Sequence, residues 1–285
     1  FNSTGNLPFL LFVGAKGLGK TEFARDFGKN ILNKNGQKRT FIEINSSTIS
    51  STGQFLEQIF VPHLLNKEAT LFFDEAHSLP KDLIISFLSI FNTEKDLNKI
   101  FIYKDAPYEF DFKKISFVFA TTESDKIFAP FKDRLVTIDF DSYSGAELSQ
   151  IFVNNLPEYT FDADGLEYLS DTFRGNARNC IHRVKDVQYF AKSRNIVHFS
   201  LGEIKQLCDT LDILPQGLSN IELRILNILK KDGRQSLQSL SAKTGLSRSA
   251  LQKDVENYLL HKGYMEINGQ REITIRGRNF LESFK

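Results

Sequence analysis

The sequence predicts a protein of the α/β class, in which a parallel sheet is followed by a helical segment and a small carboxyl-terminal domain. Three observations predict this arrangement. Apolar segments alternate with amphipathic helical segments over the first 140 residues, the apolar periodicity is purely helical after Gly145, and the last 68 residues contain a hairpin signal. Strands that are apolar throughout are typical of parallel sheets covered by helices on both faces.

Five apolar segments predict the strands of this sheet. They cover residues 9–13, 39–44, 69–73, 115–120 and 135–140. Helical spacing of apolar side chains predicts helices after the first strand, over residues 51–61 and from Pro80 onward. This alternation favours strand–helix–strand units that build one sheet.

A glycine-rich segment joins the first strand to the first helix. Residues 14–21 read Gly-Ala-Lys-Gly-Leu-Gly-Lys-Thr, which is the P-loop pattern. Glycine lets backbone N–H groups turn toward phosphate oxygens, and the helix N-terminus that follows favours negative charge. We expect Lys20 to reach the β- and γ-phosphates and the Thr21 hydroxyl to hold Mg²⁺. The predicted nucleotide-binding residues are Gly14, Gly17, Leu18, Gly19, Lys20, Thr21 and, on a later strand, Asp74.

Two acidic residues end the third predicted strand, as in a Walker B motif. Asp74 would share Mg²⁺ with Thr21, and Glu75 would polarise the water that attacks the γ-phosphate. The alternative is a strand capped by ordinary acidic turn residues. Residues 74–77 also spell the Asp-Glu-Ala-His box of some helicases. Those enzymes need a second RecA-like domain, for which the sequence has no room.

Further polar residues follow predicted strands or open a predicted helix. Thr121 and Thr122 end the strand expected beside the P-loop strand, where a polar side chain can hold the attacking water or the γ-phosphate. Arg134 precedes the last strand and would stabilise the transferring phosphoryl group of a neighbouring subunit. Arg178 opens a helix of the helical segment, from which it would contact the γ-phosphate. The alternatives are a strand-end threonine pair, a surface arginine paired to a nearby acid at Arg134, and a solvated helix-start arginine at Arg178.

The carboxyl-terminal residues predict a winged helix-turn-helix. Three amphipathic helices are followed by a hairpin with the Asn268-Gly269 turn signal. Residues 217–285 carry 12 Lys/Arg against 7 Asp/Glu, whereas residues 1–216 carry 24 against 28. This basic balance favours contact with DNA phosphates, although a solvated basic surface or a protein contact is the alternative. The candidate DNA-binding residues are Arg248, Lys253, Arg271, Arg276 and Arg278.

In this order, the motifs resemble those of the AAA+ ATPases and, more narrowly, of the RuvB family of Holliday-junction motors. Residues 120–122 resemble the sensor 1 triplet, residues 130–134 the arginine-finger box, and residues 174–178 the sensor 2 box. The resemblance therefore gives these three roles to Thr122, Arg134 and Arg178. The resemblance implies ATP and Mg²⁺ as cofactors, a hexameric ring with Arg134 acting in trans, and translocation on duplex or branched DNA. Glu123 departs from the family, which usually has arginine there. The short segment before the first strand leaves adenine specificity to the resemblance alone.

A predicted hairpin over residues 100–112 lies where this family has a hairpin that grips the junction-binding partner RuvA. The aromatic residues Phe101, Tyr103, Tyr108 and Phe110 would form its docking side. The alternative is a hairpin that only extends the sheet. The predicted parts are an AAA+ large subdomain over residues 1–143, a helical lid over 144–208, a linker over 209–217 and the winged helix over 218–285.

Two other functions in the same broad class remain open. A helicase loader or origin-binding switch also joins an AAA+ core to a winged helix, but its turnover would be slow. A clamp-loader subunit would carry a Ser-Arg-Cys box where residues 132–134 read Lys-Asp-Arg.

No apolar run reaches the ~20 residues of a membrane span. Cys180 and Cys208 have no metal-ligand partners at useful spacing, so we expect reduced, buried thiols in a cytoplasmic protein.

Overall fold

A computed structural model describes residues 7–32, 35–92 and 97–283. The chain divides into two compact units. The first comprises Phe1–Ser144 with Asn176–Asn179, and the second comprises Gly145–Gly175 with Cys180–Lys285. Each unit is described separately.

The first unit is built on a parallel sheet that confirms the predicted α/β class. Its strands and an added hairpin are β1 (Leu10–Gly14), β2 (Thr40–Asn45), β3 (Ala69–Asp74), β4 (Asn98–Tyr103), β5 (Ala106–Asp111), β6 (Ile115–Thr121) and β7 (Val136–Phe140). Five of them form one sheet in the order β2-β3-β6-β1-β7, whereas β4 and β5 pair only with each other. The P-loop strand β1 therefore lies beside β6, as predicted, and the carboxyl ends of β3, β6 and β1 are neighbours.

Helices cover this sheet where the apolar periodicity predicts them. They are α1 (Lys20–Asn30), α2 (Thr52–Gln54), α3 (Val61–His63), α4 (Lys81–Ile90) and α5 (Ala129–Lys132). A π-helical segment, Phe55–Phe60, joins α2 to α3 into one continuous helical stretch. The Ser51 hydroxyl accepts a hydrogen bond from the Gln54 N–H, which caps the start of that stretch.

Phenylalanine fills the core of the first unit. The whole chain has 27 phenylalanines and no tryptophan. Phe73 of β3 stacks on Phe119 of β6 with ring centroids 5.1 Å apart, and Phe87 of α4 stacks on Phe91 at 4.8 Å. Phe131 of α5 is fully buried against this cluster. Aromatic pairs in these stacked and edge-on geometries stabilise a core beyond the area they bury, so Phe131 holds α5 against α4 and β6.

The second unit begins with the predicted helical segment. Its elements are α6 (Gly145–Asn154), β8 (Thr160–Phe161), α7 (Ala163–Asp171), α8 (Ala177–Arg194), β9 (His198–Phe199) and α9 (Leu201–Thr210). The first three residues of α8, Ala177 to Asn179, belong to the first unit. Ser200 and Glu203 form a capping box that starts α9, since each side chain meets the other's backbone N–H. The two short parallel strands β8 and β9 were not predicted, because two-residue strands leave no apolar pattern.

The second unit ends in a winged helix, as predicted. Its elements are α10 (Asn220–Asp232), α11 (Leu237–Thr244), α12 (Arg248–Ala250), α13 (Asn257–His261), β10 (Met265–Asn268), β11 (Gln270–Ile273) and α14 (Ile275–Ser283). A π-helical segment, Leu251–Glu256, makes α12 and α13 one continuous third helix, and the Ser247 hydroxyl caps its start. Gly269 has a φ of 70° at the tip of the hairpin, a conformation that favours glycine.

Two arginine–glutamate pairs of the second unit have buried carboxylates. Arg174 bonds Glu222 of α10, which is 1% exposed, and lies over the Tyr258 ring with 3.6 Å between its guanidinium carbon and the ring centroid. Arg271 of β11 donates two hydrogen bonds to the Glu256 carboxylate, at 2.8 and 3.1 Å. Burial raises the pKa of Tyr258 to about 12 despite the nearby Arg174 charge. Removing either partner of such a pair leaves an uncompensated charge in the interior.

Candidate functional site

The P-loop forms the turn that its glycines predict. Gly17 and Gly19 have φ values of 85° and 86°, a left-handed conformation that side-chain-bearing residues avoid. Lys20 follows at the first position of α1 and is 6% exposed. Its ammonium donates hydrogen bonds to the Gly14 and Ala15 carbonyls at 2.8 and 2.9 Å. The Lys20 charge is therefore held inside the loop that would surround a phosphate.

Charged side chains of both signs lie near the Lys20 ammonium. Burial lowers the pKa of Lys20, whereas the carboxylates of Glu75 and Asp74 raise it and the guanidinium of Arg178 lowers it again. The three predicted side chains are thus close enough to Lys20 to affect its protonation. They come from the end of β3 and the start of α8, which are far apart in sequence.

Thr21 and Asp74 lie together, as a shared magnesium site requires. The Thr21 hydroxyl donates a hydrogen bond to the Asp74 carboxylate at 3.0 Å. Mg²⁺ prefers oxygen ligands and is usually held by one or two protein oxygens together with substrate phosphates and water. The hydroxyl and carboxylate beside the P-loop fit that ion, and together with Lys20 they fit Mg²⁺-bound nucleotide phosphates.

Glu75 and Thr122 meet beside this pair. The Thr122 hydroxyl donates to the Glu75 carboxylate at 3.3 Å. Glu75 has a φ of 51°, so the chain turns sharply as it leaves β3 and presents the carboxylate at the sheet edge. A carboxylate at this position can serve as the base that polarises an attacking water.

Three residues at this edge were not singled out by the sequence. His77 contacts Glu75, Thr121 and Glu123 through its ring nitrogens. The Tyr143 hydroxyl donates to the Leu18 carbonyl at 3.1 Å. The Asn176 amide donates to the Lys16 carbonyl at 2.7 Å. Only His77 and Asn176 lie within recognised boxes, and that is the signal that would have found them.

Asn176 also brings Arg178 to the P-loop. Its side-chain oxygen accepts from the Arg178 N–H at 3.0 Å and caps the start of α8. The Arg178 N–H also donates to the Gly17 carbonyl at 3.1 Å. The Arg178 side chain is exposed, so its guanidinium is available to a phosphate at the loop. Its assignment as sensor 2 stays a prediction.

Arg134 is exposed and anchored from below. Phe131 and Leu135 on either side of it are buried, and its guanidinium donates to the Pro130 carbonyl at 2.6 Å. The predicted finger role places the Arg134 guanidinium at the nucleotide of a neighbouring subunit, so no contact with the P-loop of its own chain is expected. The role in trans stays a prediction.

The docking side assigned to the hairpin is wrong for Phe110. Phe110 is fully buried and stacks on Phe60 with centroids 4.2 Å apart, because the hairpin turns this face toward the core. Phe101, Tyr103 and Tyr108 are only partly buried but pack against the same core. The opposite face exposes an apolar strip made by Ile100, Ile102 and Pro107, with the two isoleucines 70% and 69% exposed.

Arg271 is likewise wrong as a DNA contact. Its guanidinium is occupied by the buried Glu256 carboxylate and cannot reach a phosphate. Arg276 and Arg278 are exposed, but they lie on α14 rather than in the wing, because the hairpin ends at Ile273. Arg248 and Lys253 are exposed on the third helix, as predicted.

The cysteines are free and buried, which confirms the prediction of reduced thiols. Burial raises the pKa of Cys180 to about 12 and that of Cys208 to about 11, and the nearby Arg183 charge acts to lower the pKa of Cys208.

Among the described residues, no helix is both long and apolar enough to cross a membrane. The segment before Leu7, to which the adenine-packing prediction refers, lies outside the described residues.

Two protein families match the chain. Residues 10–141 match the AAA family, described as the ATPase family associated with various cellular activities. Residues 215–282 match the RuvB C-terminal winged helix domain. The first match covers the P-loop, Asp74, Glu75, Thr122 and Arg134. With the geometry of the P-loop edge, it makes this chain an ATPase of the AAA+ class.

Within that class, the chain is similar to RuvB proteins. The chain is 24% identical over 286 residues to the RuvB subunit of the Holliday junction branch migration complex from Mycoplasma genitalium, covering 98% of this chain and 88% of the relative. It is 29% identical over 232 residues to the RuvB subunit from Prochlorococcus marinus, covering 77% of this chain and 64% of that relative. Together with the winged-helix match, these similarities identify the chain as a RuvB-like AAA+ ATPase.

Solved structures confirm the fold. The structure titled as the Thermotoga maritima RuvB Holliday junction branch migration motor has a TM-score of 0.72 and 22% identity, covering 97% of this chain and 87% of that one. A point mutant of the same protein has a TM-score of 0.73 and 21% identity. At this identity the similarity establishes the fold alone.

Proposed function

We propose that this chain is an ATP-driven DNA motor of the RuvB type, which moves duplex DNA through a ring of subunits and thereby drives branch migration at Holliday junctions. The observation that carries the proposal is the joining of a nucleotide-hydrolysis edge to a winged helix in one chain. At that edge, Thr21 bonds Asp74 and Thr122 bonds Glu75 beside a P-loop. The RuvB relatives carry the branch-migration name.

Hydrolysis would use the carboxyl-end edge of the sheet. Thr21 and Asp74 would hold Mg²⁺, which would offset the negative charge that develops on the transferring phosphoryl group. Lys20 would leave the loop carbonyls and bind the phosphates. Glu75 would accept a proton from the attacking water, and Thr122 would hold that water or the γ-phosphate in line. Arg178 would neutralise the γ-phosphate from the other side.

A ring would complete each site. Arg134 is exposed and does not meet any predicted phosphate ligand of its own chain in the described residues, so it suits the boundary between two subunits. A guanidinium placed there stabilises the transition-state charge and is worth about 10³–10⁵ in rate in other phosphoryl-transfer systems. We propose a hexamer, as the RuvB resemblance implies.

The hairpin would dock a RuvA-like junction-binding protein through its outer face. Ile100 and Ile102 are exposed on β4, and Pro107 follows on the paired strand. An exposed apolar strip of this kind marks a contact with another protein. Ile102→Glu should therefore weaken binding of such a partner without lowering the melting temperature, because the side chain has no core contact to lose.

The winged helix would contact DNA through phosphates. Arg248, Lys253, Arg276 and Arg278 are exposed, and Arg271 supports the domain from within. A motor that runs along duplex needs contacts that carry no sequence information, and phosphate contacts meet that need. Binding should therefore weaken steeply as salt rises.

The test is ATPase activity measured with a synthetic four-way junction, with plain duplex and without DNA. We expect turnover stimulated by DNA, strand products of branch migration, and ring particles by electron microscopy. Glu75→Gln should retain ATP binding and hydrolyse ATP far more slowly. A normal ATPase that no DNA stimulates, and that never moves a junction, would contradict the motor and point to an ATP-dependent loading switch.

The shared site has its own test. Arg134→Ala and Glu75→Gln proteins should each hydrolyse ATP far more slowly than the wild type, and mixing them should restore part of the hydrolysis. Restoration is expected because an intact Arg134 from one subunit then meets an intact Glu75 of another. A mixture as inactive as its components would contradict the action in trans.

A further inference from the structure

A polar cluster lies beside the predicted catalytic carboxylate of Glu75. His77 lies between two carboxylates: its Nδ1 is 3.5 Å from Glu75 Oε2, and its Nε2 is 3.0 Å from Glu123 Oε2. Its side chain is 16% exposed, whereas those of Glu75 and Glu123 are 40% and 36% exposed. The imidazole is therefore the most buried member of the three.

Hydrogen bonds fix the His77 ring at both nitrogens. The Thr121 hydroxyl oxygen accepts from the Glu123 N–H at 3.0 Å, and it lies 3.0 Å from His77 Nδ1. Thr121 is fully buried at the end of β6, so its hydroxyl is held in a fixed position by the surrounding core. Glu123 is in turn held by Lys126, whose ammonium is 2.7 Å from its other oxygen. The ring is thus clamped from two elements of the sheet edge.

The Glu75 carboxylate depends on this clamp for its direction. Glu75 has left-handed backbone dihedrals, and the Thr122 hydroxyl at 3.3 Å is a long hydrogen bond. A base must lie within hydrogen-bond reach of the water it activates, so a small rotation of the carboxylate removes it from the reaction. The His77 ring stands against Oε2 and limits that rotation.

We propose that His77 is the positioning residue for Glu75, and that Glu123 is the anchor that holds His77 in place. The inference rests on the proposed ATPase and concerns the same site. Glu123 suits this role because its carboxylate oxygen, 3.0 Å from His77 Nε2, offers the ring an acceptor.

The test compares turnover with nucleotide affinity in His77→Ala. We expect kcat to fall roughly tenfold or more, because the base loses its orientation, whereas Kd for ATP changes less than about twofold. Glu123→Gln keeps an acceptor oxygen and the size of the side chain, so it should lower kcat less than His77→Ala does. His63→Ala, an exposed histidine on α3, is the matched control and should leave both constants unchanged.

A double-mutant cycle separates positioning from a general structural role. In the Glu75→Gln background, His77→Ala should cause no further loss of turnover, because the group that it orients is already gone. Equal losses in both backgrounds, a parallel loss of ATP affinity, or unchanged or faster turnover in His77→Ala would overturn the inference. Should His77→Ala not fold, the same cycle with Glu123→Gln decides. A wild-type chain without ATPase activity would instead overturn the proposed function.

Discussion

The residues predicted for the nucleotide edge of the sheet contact each other, whereas those predicted to bind DNA in the winged helix do not form one cluster of the same kind. At the sheet edge, the predicted side chains meet each other: Thr21 bonds Asp74, and Thr122 bonds Glu75. In the winged helix, one of the five predicted DNA contacts, Arg271, is buried in an ion pair. The other four are exposed.

The difference comes from what each prediction used. A residue that ends a parallel strand has a position set by the sheet, since the carboxyl ends of adjacent strands lie at one edge. A basic residue in a positively charged domain has no such constraint. Whether it faces DNA or pairs with a buried carboxylate depends on a partner elsewhere in the sequence, here Glu256, fifteen residues away.

The largest expected effect is at the P-loop. Lys20→Ala should lower ATP affinity by two orders of magnitude or more, since the only buried ammonium of the described loop would be lost. Calorimetric titration with Mg²⁺-ATP measures this. Lys16→Ala, an exposed lysine of the same loop, should bind normally. Equal losses in the two variants would show that the motif does not position Lys20 specifically.

The next effect separates buried from exposed arginines. Arg271→Ala should lower the free energy of unfolding by about 3–5 kcal/mol, because it leaves Glu256 charged in the interior. Denaturant unfolding measures this, with Arg278→Ala as the exposed control. Replacing both partners, as in Arg271→Leu with Glu256→Leu, should recover much of the loss. A tolerated Arg271→Ala combined with weak DNA binding would restore the original assignment.

A smaller effect is expected on the third helix of the winged domain. Lys253→Ala should weaken duplex binding about equally for all sequences and lower the slope of log K against log salt by about one. Stability should change by less than about 0.5 kcal/mol, since the side chain is exposed. Fluorescence anisotropy over a salt series measures the slope. Lys231→Ala on α10 is the control, and an equal change there would indicate a diffuse charge effect.

The smallest effect is chemical. Because burial raises the pKa of both cysteines, their thiols stay protonated well above neutral pH, and an alkylating reagent should label the native chain far more slowly than the unfolded chain. The thiolate that reacts forms only as pH rises toward about 11 for Cys208 and about 12 for Cys180. Mass spectrometry of timed samples measures this. Rapid labelling at neutral pH would contradict the burial.

Sequence reasoning predicted the fold more fully than the surface. The sheet, the P-loop turn, the capped third helix and the Asn-Gly hairpin all follow from local patterns with a physical cause. The facing of the hairpin did not follow, because alternation shows that two faces differ without showing which one meets the core. Phe110 packs on Phe60, which precedes it by fifty residues, and that contact leaves no local signature.

The anchoring of this hairpin has a mechanical consequence. Its inner aromatic face is fixed to the same phenylalanine cluster that supports β3 and β6, through Phe110 and Phe112. A pull on Ile100 or Ile102 is therefore borne by the interior of the sheet rather than by a pliant loop. A force applied to the outer strip would therefore be transmitted to β3 and β6, whose carboxyl ends carry Asp74 and Thr121.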